Sequence, residues 1–247
     1  MSQKQSTLAL YATAPHPCNY LPGREAITVF ADPRTPASRR LYSQLVDHGF
    51  RRSGENIYRP GCRGCTACVA VRVPVAQFQP NRTQKRIWRR NQDLDAIRVP
   101  VARNNEHFAL YQRYLAARHP GGGMDDPDPA NYMSFFACRE IDTALIEFRL
   151  DGKLLAVAVT DYLEHGLSAV YTFFDPAPEH RARSLGVHAI LWQIEEAGRL
   201  GLPFVYLGYW IEKSPKMSYK SQYRPLEGYR DGRWDVIKNG SFEIRVG

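Results

Sequence analysis

One segment narrows the possible folds more than any other, the run from Ser168 to Ile211. Ser168 to Phe174 is β-branched and aromatic and is ended by Asp175-Pro176, which predicts a strand. Ser184 to Leu200 predicts a helix, because Val187, Leu191, Ile194 and Ala197 recur at helical spacing. Gly198, Gly201 and Pro203 close it. Phe204 to Ile211 is near-continuously apolar, as a strand buried on both faces should be. Strand, helix and strand in that order make a βαβ-type crossover. The N-terminus of its helix offers unpaired N–H groups to an anion.

The rest of the chain supplies more of the same elements. Ala26 to Phe30 predicts a strand, Thr35 to His48 a helix closed by Gly49, and Asn56 to Tyr58 a strand. Val69 to Val75 alternates as a strand does. Glu106 to Arg118 predicts a helix whose apolar residues are Phe108, Leu110, Tyr111, Tyr114 and Leu115. His119 to Pro129 is a glycine-rich loop, either a surface excursion or a loop that closes over substrate. Ala144 to Leu150 and Leu154 to Tyr162 predict a hairpin turning at Asp151-Gly152. Trp234 to Val246 reads as a short hairpin or tail.

Charge points to a partner. The 247 residues carry 33 Lys and Arg against 25 Asp and Glu, a net charge of +8, with pI ≈ 9.3. A polyanion is the first partner such a balance suggests. Pro80 to Ala96 predicts a helix on which Arg82, Lys85, Arg86, Arg89 and Arg90 share one face, with no acid before Asp93. Ile87, Asn91 and Leu94 lie on another face and would dock it. A stripe of a single sign suits a phosphate backbone; a solvated surface is the plain alternative. No run approaches the ~20 apolar residues of a membrane span. The first residues, MSQKQSTLALYATAPHP, lack the pattern of a secretory signal. These readings predict a cytoplasmic protein that uses no membrane.

Cys62, Cys65 and Cys68 are spaced C-x-x-C-x-x-C, so their thiolates suit one metal or cluster, with Cys18 as a fourth ligand after folding. The alternative is four reduced cysteines with no metal. Cys138, in Phe135-Phe136-Ala137-Cys138, reads as an ordinary buried cysteine.

Several words of the sequence occur in the order of a known family. These are Phe174-Asp175-Pro176, Arg183 to His188 (RSLGVH), Tyr206 to Ile211 (YLGYWI), Pro215 to Lys220 (PKMSYK) and Gln222 to Pro225 (QYRP). In the first half, Cys18-x-Tyr20, Arg51-Arg52-Ser53-Gly54, Tyr58-x-Pro60 and the cysteine cluster also match. Over roughly residues 15 to 230 the chain resembles the aminoacyl-tRNA–protein transferases of the N-degron pathway, the arginyltransferase family. It looks most like the branch that moves leucine onto N-terminal Asp or Glu; arginine donation is the close alternative. The resemblance implies an α+β fold with an acetyltransferase-like (GNAT-type) mixed sheet flanked by helices. A cysteine-containing N-terminal region, residues 1–100 and ending in the basic helix, would pack against a transfer domain, residues 101–247. It also implies aminoacyl-tRNA and protein N-termini bearing Asp or Glu as partners. No cofactor is required for the transfer, with zinc or an iron–sulfur cluster a possibility at Cys18, Cys62, Cys65 and Cys68. Some eukaryotic members hold such a group at similar positions, where this chain has Leu21 in place of one cysteine.

The chemistry so implied is undemanding. The tRNA ester is already activated, and an acceptor α-amine of pKa ≈ 7.7–8.0 loses its proton cheaply near pH 7. Positioning and stabilisation of the oxyanion should dominate, and no Ser-His-Asp set or carboxylate pair stands out. Asp175, Glu179 and His180 are the candidates for weak acid–base work, or serve only loop solubility. Tyr206 and Tyr209 either shape the aminoacyl pocket or fill the core. Lys216, Tyr219 and Lys220 match family positions and would hold the acceptor end of tRNA. Arg183 and Gly186 partly match the R-x-x-G-x-G/A loop with which acetyltransferases cradle coenzyme A, but His188 stands at the last position. Arg51 and Arg52 would read the acceptor carboxylate with their forked donors, or pair with acids of their own domain. Two readings from other classes remain, an acetyltransferase using acetyl-coenzyme A and a non-enzymatic metal-bearing nucleic-acid-binding module.

Overall fold

The expected crossover lies at the middle of one large sheet. The computed structural model describes residues 8–35, 38–118, 128–238 and 241–242. The first stretch of chain supplies β1 (Leu10–Ala12), β2 (His16–Pro17), β3 (Glu25–Ala26), β4 (Thr28–Ala31), α1 (Arg39–Asp47), β5 (Arg51–Ser53) and β6 (Asn56–Pro60). Then come β7 (Val69–Pro74), α2 (Arg82–Arg90), β8 (Asp95–Pro100), α3 (Asn105–Arg118) and α4 (Pro129–Phe136). The remainder holds β9 (Thr143–Leu150), β10 (Lys153–Tyr162), β11 (Gly166–Phe174), α5 (Leu185–Arg199), β12 (Phe204–Trp210), α6 (Pro215–Ser218), β13 (Glu227–Arg230), β14 (Arg233–Lys238) and β15 (Ser241–Phe242).

The large sheet has the order β15-β14-β13-β7-β12-β11-β10-β9-β8. It is mixed: β11 and β12 run parallel across the α5 crossover, and the neighbouring ladders are antiparallel. The fold is therefore α+β, with a mixed sheet flanked by helices. β7 and β8, which precede residue 100, belong to the same sheet as the strands that follow it. A second sheet, β1-β4-β6-β5, carries the N-terminal region, and β2 and β3 pair by themselves.

Both faces of the large sheet are covered, and β10 shows how. Ala156 and Ala158 pack with Ile190, Leu191 and Ile194 of α5 on one face. Val157 and Val159 pack with Leu110 and Tyr111 of α3 and Tyr132 and Phe136 of α4 on the other. Side chains alternate across a strand, so a strand covered on both sides is apolar throughout. A third core joins α1 to the sheets through Tyr42, Val46, Phe50, Ile57, Leu163 and Tyr206.

Several boundaries differ from expectation for local reasons. The first helix begins at Arg39, where the Ser38 hydroxyl accepts from Leu41 N; residues 36 and 37 lie outside the described ones. The basic helix runs only over Arg82–Arg90, not over Pro80–Ala96. A capping box of Asn81 and Gln84 starts it. Asn91 ends it by donating to Ile87 O and Arg183 O. Of the residues expected to continue it, Asn91 to Leu94 form a turn, and Asp95 and Ala96 begin the edge strand β8, paired to β9. Helix α4 was not foreseen: the loop reading of His119 to Pro129 falls on residues 119–127, outside those described, and the helix starts at Pro129. The C-terminal hairpin is seen as β14 and β15, with residues 243–247 outside. The reading of residues 1–7 as free of a signal also falls outside. Among the described residues no helix is long and apolar enough to cross a membrane.

Candidate active site

The parallel pair at the crossover separates. β11 and β12 are joined only from Gly166–Phe204 to Ser168–Tyr206, although both continue. Beyond that point Ala169 to Thr172 of β11 are half-buried, where Gly166 to Ser168 are buried. On the other side of β12 the ladder to β7 slips between Tyr206 and Gly208. The slip is a bulge, and it leaves Gly208 at φ +79°, a conformation glycine adopts freely. Ligands in such sheets bind outside the carboxyl ends of the strands, where neighbouring strands part.

Two cations meet at the bulge. Arg51 on β5 reaches over it from the second sheet; its Nη1 donates to Phe50 O at 2.7 Å and its Nη2 to Val71 O at 3.3 Å. Its guanidinium lies 5.5 Å from the Tyr206 ring centre and 6.0 Å from that of Tyr209. Arg51 Nε is buried with no acceptor. Lys220 Nζ donates to Tyr209 O at 2.6 Å. Burial, and then the charge of Arg51, push the Lys220 ammonium down to about 7. Arg51 was expected at the site, Lys220 also; Gly208 was not. A glycine inside an otherwise apolar strand is the signal that would have found it.

Arg52, its neighbour, is committed elsewhere. Its Nε and Nη2 donate to the two Asp161 carboxylate oxygens at 2.7 and 2.6 Å, and Nη2 also donates to Thr143 Oγ1 at 3.0 Å. Both side chains of the pair are fully buried. Burial opposes the charge on Arg52, but Asp161 holds its pKa above the usual value. Arg52 therefore fastens the second sheet to β10, and its fork is not open to a ligand. Gly54, two residues on, has φ +57°, and a Cβ there would collide with Ser134 O of α4. The Arg-Arg-Ser-Gly word is thus mostly a docking device. Tyr206 and Tyr209 belong to the same device: Tyr206 OH donates to Asp47, and Tyr209 OH to Gly49 O and Tyr58 O. Their rings wall Arg51, and their hydroxyls are occupied.

The basic helix adjoins this region through the N-terminal loop of α5. Arg90 Nη1 donates to Ala182 O at 2.6 Å. Arg183 donates to both oxygens of Asp93 at 2.8 and 2.7 Å, and so does not reach into the crossover. Ile87 is buried in the main core, and Trp88 and Leu94 pack against it. Arg82, Lys85, Arg86, Arg89 and Arg90 are exposed. His188, at the last position of the partial R-x-x-G-x-G/A match, is buried between Trp88 and Phe148. Burial pushes it down to about 4, so it is neutral at pH 7. Gly186 permits the approach of Phe174, whose ring would lie 3.2 Å from a Cβ at that position.

The remaining candidates are spread along the mouth. Asp175 ends β11, is buried, accepts from Ala177 N at 3.0 Å and stands 4.0 Å from Arg113. Glu179 is exposed. His180 is half-buried and its Nε2 has no partner. Both lie on a short 3-10 turn, Pro178–Arg183. Lys216, on α6, and Tyr219, just after it, are exposed.

Cys62, Cys65 and Cys68 line a cleft of about 410 Å³ with Gly49, Arg59 and Tyr229. Burial first, then the charges of Cys62, Cys18 and Cys65, push the Cys68 thiol up to about 11, so the four sulfurs are neighbours. Cys62 Sγ lies against Ile27, accepting from its N–H at 3.4 Å. Among the described residues no three His, Cys, Asp or Glu side chains are placed to hold a metal ion. Cys138 is half-buried and unpaired by disulfide.

Comparison with known proteins gives the family. Residues 16–86 match the family model described as arginine-tRNA-protein transferase, N terminus, and residues 106–230 the one described as its C terminus. A protein of Nitrosococcus oceani named aspartate/glutamate leucyltransferase is 55% identical over 230 residues, covering 92% of this chain and 95% of that one. Proteins of the same name from Pseudomonas fluorescens and Chromobacterium violaceum are 54% and 51% identical, over 93% and 95% of this chain and 97% and 96% of theirs. Among solved structures, the DUF2156 C-terminal domain of an Agrobacterium fabrum protein aligns with TM-score 0.44 and 16% identity, over 69% of this chain and 51% of that one. That likeness is too slight to bear on the fold. The two models together span most of the sequence, and the chain belongs to the arginine-tRNA-protein transferase family.

Proposed function

We propose that this protein transfers leucine from leucyl-tRNA to the N-terminal aspartate or glutamate of proteins, marking them for degradation. The observation that carries this reading is the match, above 50% identity and nearly end to end, to relatives named for that reaction. The structure supports it in two ways. A face of exposed arginines and lysine on α2 runs up to the α5 loop, where a tRNA backbone could be followed to the parting of β11 and β12. Cations lie buried at that parting, where an acidic acceptor is wanted. We also read the crossover as acetyltransferase-like, since a parallel pair that separates beyond a βα turn is the feature by which such a sheet admits an acyl donor.

The acyl step asks little of the chain. The amine attacks the ester carbonyl, the C–N bond forms, the C–O bond to the tRNA ribose breaks, and the amine proton passes, through water or a nearby carboxylate, to the ribose oxygen that leaves as a hydroxyl. Asp175, buried at the end of β11, is the best placed of the three acid–base candidates. Holding ester and amine together supplies most of the acceleration. The test offers purified protein radiolabelled leucyl-tRNA or arginyl-tRNA with peptides that differ only in residue one. Leucine should pass to peptides beginning with Asp or Glu. Transfer of arginine alone, or of neither, would reject the reading.

A further inference from the structure

Burying a charge is strongly unfavourable unless it is paired or hydrogen-bonded. Arg51 and Lys220 are 5% and 6% exposed, and among the described residues no carboxylate forms an ion pair with either. Their donors are not all used. Arg51 places its two terminal nitrogens on backbone carbonyls and leaves Nε with none. Lys220 has three donors; one goes to Tyr209 O and one toward Met217 Sδ at 3.4 Å, a weak acceptor. The spare donors converge. A Cβ built on Gly208 would lie 3.6 Å from Lys220 Nζ and 3.9 Å from Arg51 Nε, and within 4 Å would meet nothing else outside its chain neighbours. Gly208 is itself only half-buried.

We propose that the gap over Gly208 seats the side-chain carboxylate of the acceptor's first residue, with Arg51 Nε and Lys220 Nζ donating to its oxygens. The proposal deepens the function argued above and rests on it. A carboxylate fits better than a phosphate, because the two donors are buried and stand within 4 Å of one Cβ position, whereas the exposed cations suited to phosphates stand on α2. The location agrees as well. The gap lies on β12 just beyond its parting from β11, and a carboxylate of residue one is a single side chain away from the reacting amine. Glycine at 208 has two reasons: its φ of +79°, and the fact that any side chain would occupy the seat. Specificity would then be composite, since Arg51 comes from the second sheet and Lys220 from beyond β12. Only a chain in which the Arg52–Asp161 fastening holds brings them together.

The experiment compares Arg51→Gln and Lys220→Met with wild type on peptides beginning with Asp, Glu, Asn or Gln, using leucyl-tRNA. Each variant should lose about tenfold to a hundredfold in kcat/KM on the acidic peptides and little on the amides, so that the preference for acids collapses. Leucyl-tRNA affinity should stay within about twofold. A variant that only misfolds would lose all four peptides in proportion and would overturn the assignment unless the second variant shows the selective loss. Retained preference for acids in both variants would also overturn it, as would loss of tRNA affinity instead. Wild type that transfers leucine to no peptide would reject the function rather than the seat, so the two failures are distinguishable.

Discussion

Two adjacent arginines of β5 meet burial in opposite ways. Arg52 is enclosed with Asp161, forked against both of its oxygens, and supported by Thr143 and Gly54 O. Arg51 is as deeply buried but faces a second cation and keeps a donor without an acceptor. A strand sends successive side chains to opposite faces, so one arginine enters the interface between the sheets and the other enters the bulge at Gly208. The first is structural in every bond it makes. The second is held by two backbone carbonyls and two aromatic rings, and keeps its Nε unsatisfied. A buried group left unsatisfied in a native structure requires an explanation, and a ligand supplies one.

The sharpest way to break this contrast is to remove each arginine in turn. Arg52→Met leaves the Asp161 carboxylate buried and unpaired. It should destabilise the protein by about 3–5 kcal/mol in denaturant titration. Arg52→Lys should recover only part of this, because an ammonium cannot match the fork. Arg51→Met removes a charge that no carboxylate pairs, together with its two bonds to backbone carbonyls, and should change stability by no more than about 1 kcal/mol. Equal losses for the two would mean that Arg51 has a stabilising partner after all.

The second prediction uses Lys220, whose amine burial and Arg51 push down to about 7. An unfolded lysine titrates near 10.4. Between these values the unfolded chain binds more protons than the folded one, so this group makes stability rise with pH. Below about 7 both states hold the proton and the full unfavourable contribution is present; above about 10.4 both have lost it. The slope is at most about 1.4 kcal/mol per pH unit. Arg51 is the charge that faces Lys220, and the Tyr219 ring lies 5.9 Å from its Nζ. Stability measured from pH 7 to 9.5, before tyrosines titrate, should rise more steeply in wild type than in Lys220→Met. Parallel curves would show an amine that keeps its proton throughout.

The same contrast marks how far the amino-acid sequence could be read. The crossover was legible because its signal is local: apolar periodicity in α5, an aromatic strand before it and a near-continuous one after it. The five cations of α2 were legible as a face, since helical spacing puts them there. What was not legible depends on partners distant in sequence. Arg51 and Arg52 are alike as letters, and only the pairing of β5 with Asp161, 109 residues on, tells them apart. The basic helix was read too long because Asn91 stops it through a bond to Arg183 O, 92 residues away. Cys62, Cys65 and Cys68 are close in sequence, but only the fold brings Cys18 to them. Gly208 lay within the word YLGYWI and was passed over, although a glycine in a strand interior is a weak signal for a bulge.

The smallest effect on stability belongs to a third class of unpaired cation, one that stays in water. Arg82, Lys85, Arg86 and Arg89 are exposed on α2, and among the described residues they form no ion pair. No desolvation opposes them, so removing them relieves nothing. Arg86→Ala with Arg89→Ala should leave stability within about 0.5 kcal/mol, as surface changes usually do, and alanine suits a helix. Their charge matters only to a partner. Each phosphate that is no longer neutralised lowers the slope of log K against log salt by about 0.7–0.9, so the pair should lower it by roughly 1.5 in titrations with tRNA. Preference among acceptor peptides should not move, because selection lies at Gly208 and not on this face. A double variant that binds tRNA with an unchanged slope would take α2 out of the interface. One that changes acceptor preference would show that exposed and buried cations act as one set, and the distinction between α2 and the Arg51–Lys220 pair would fail.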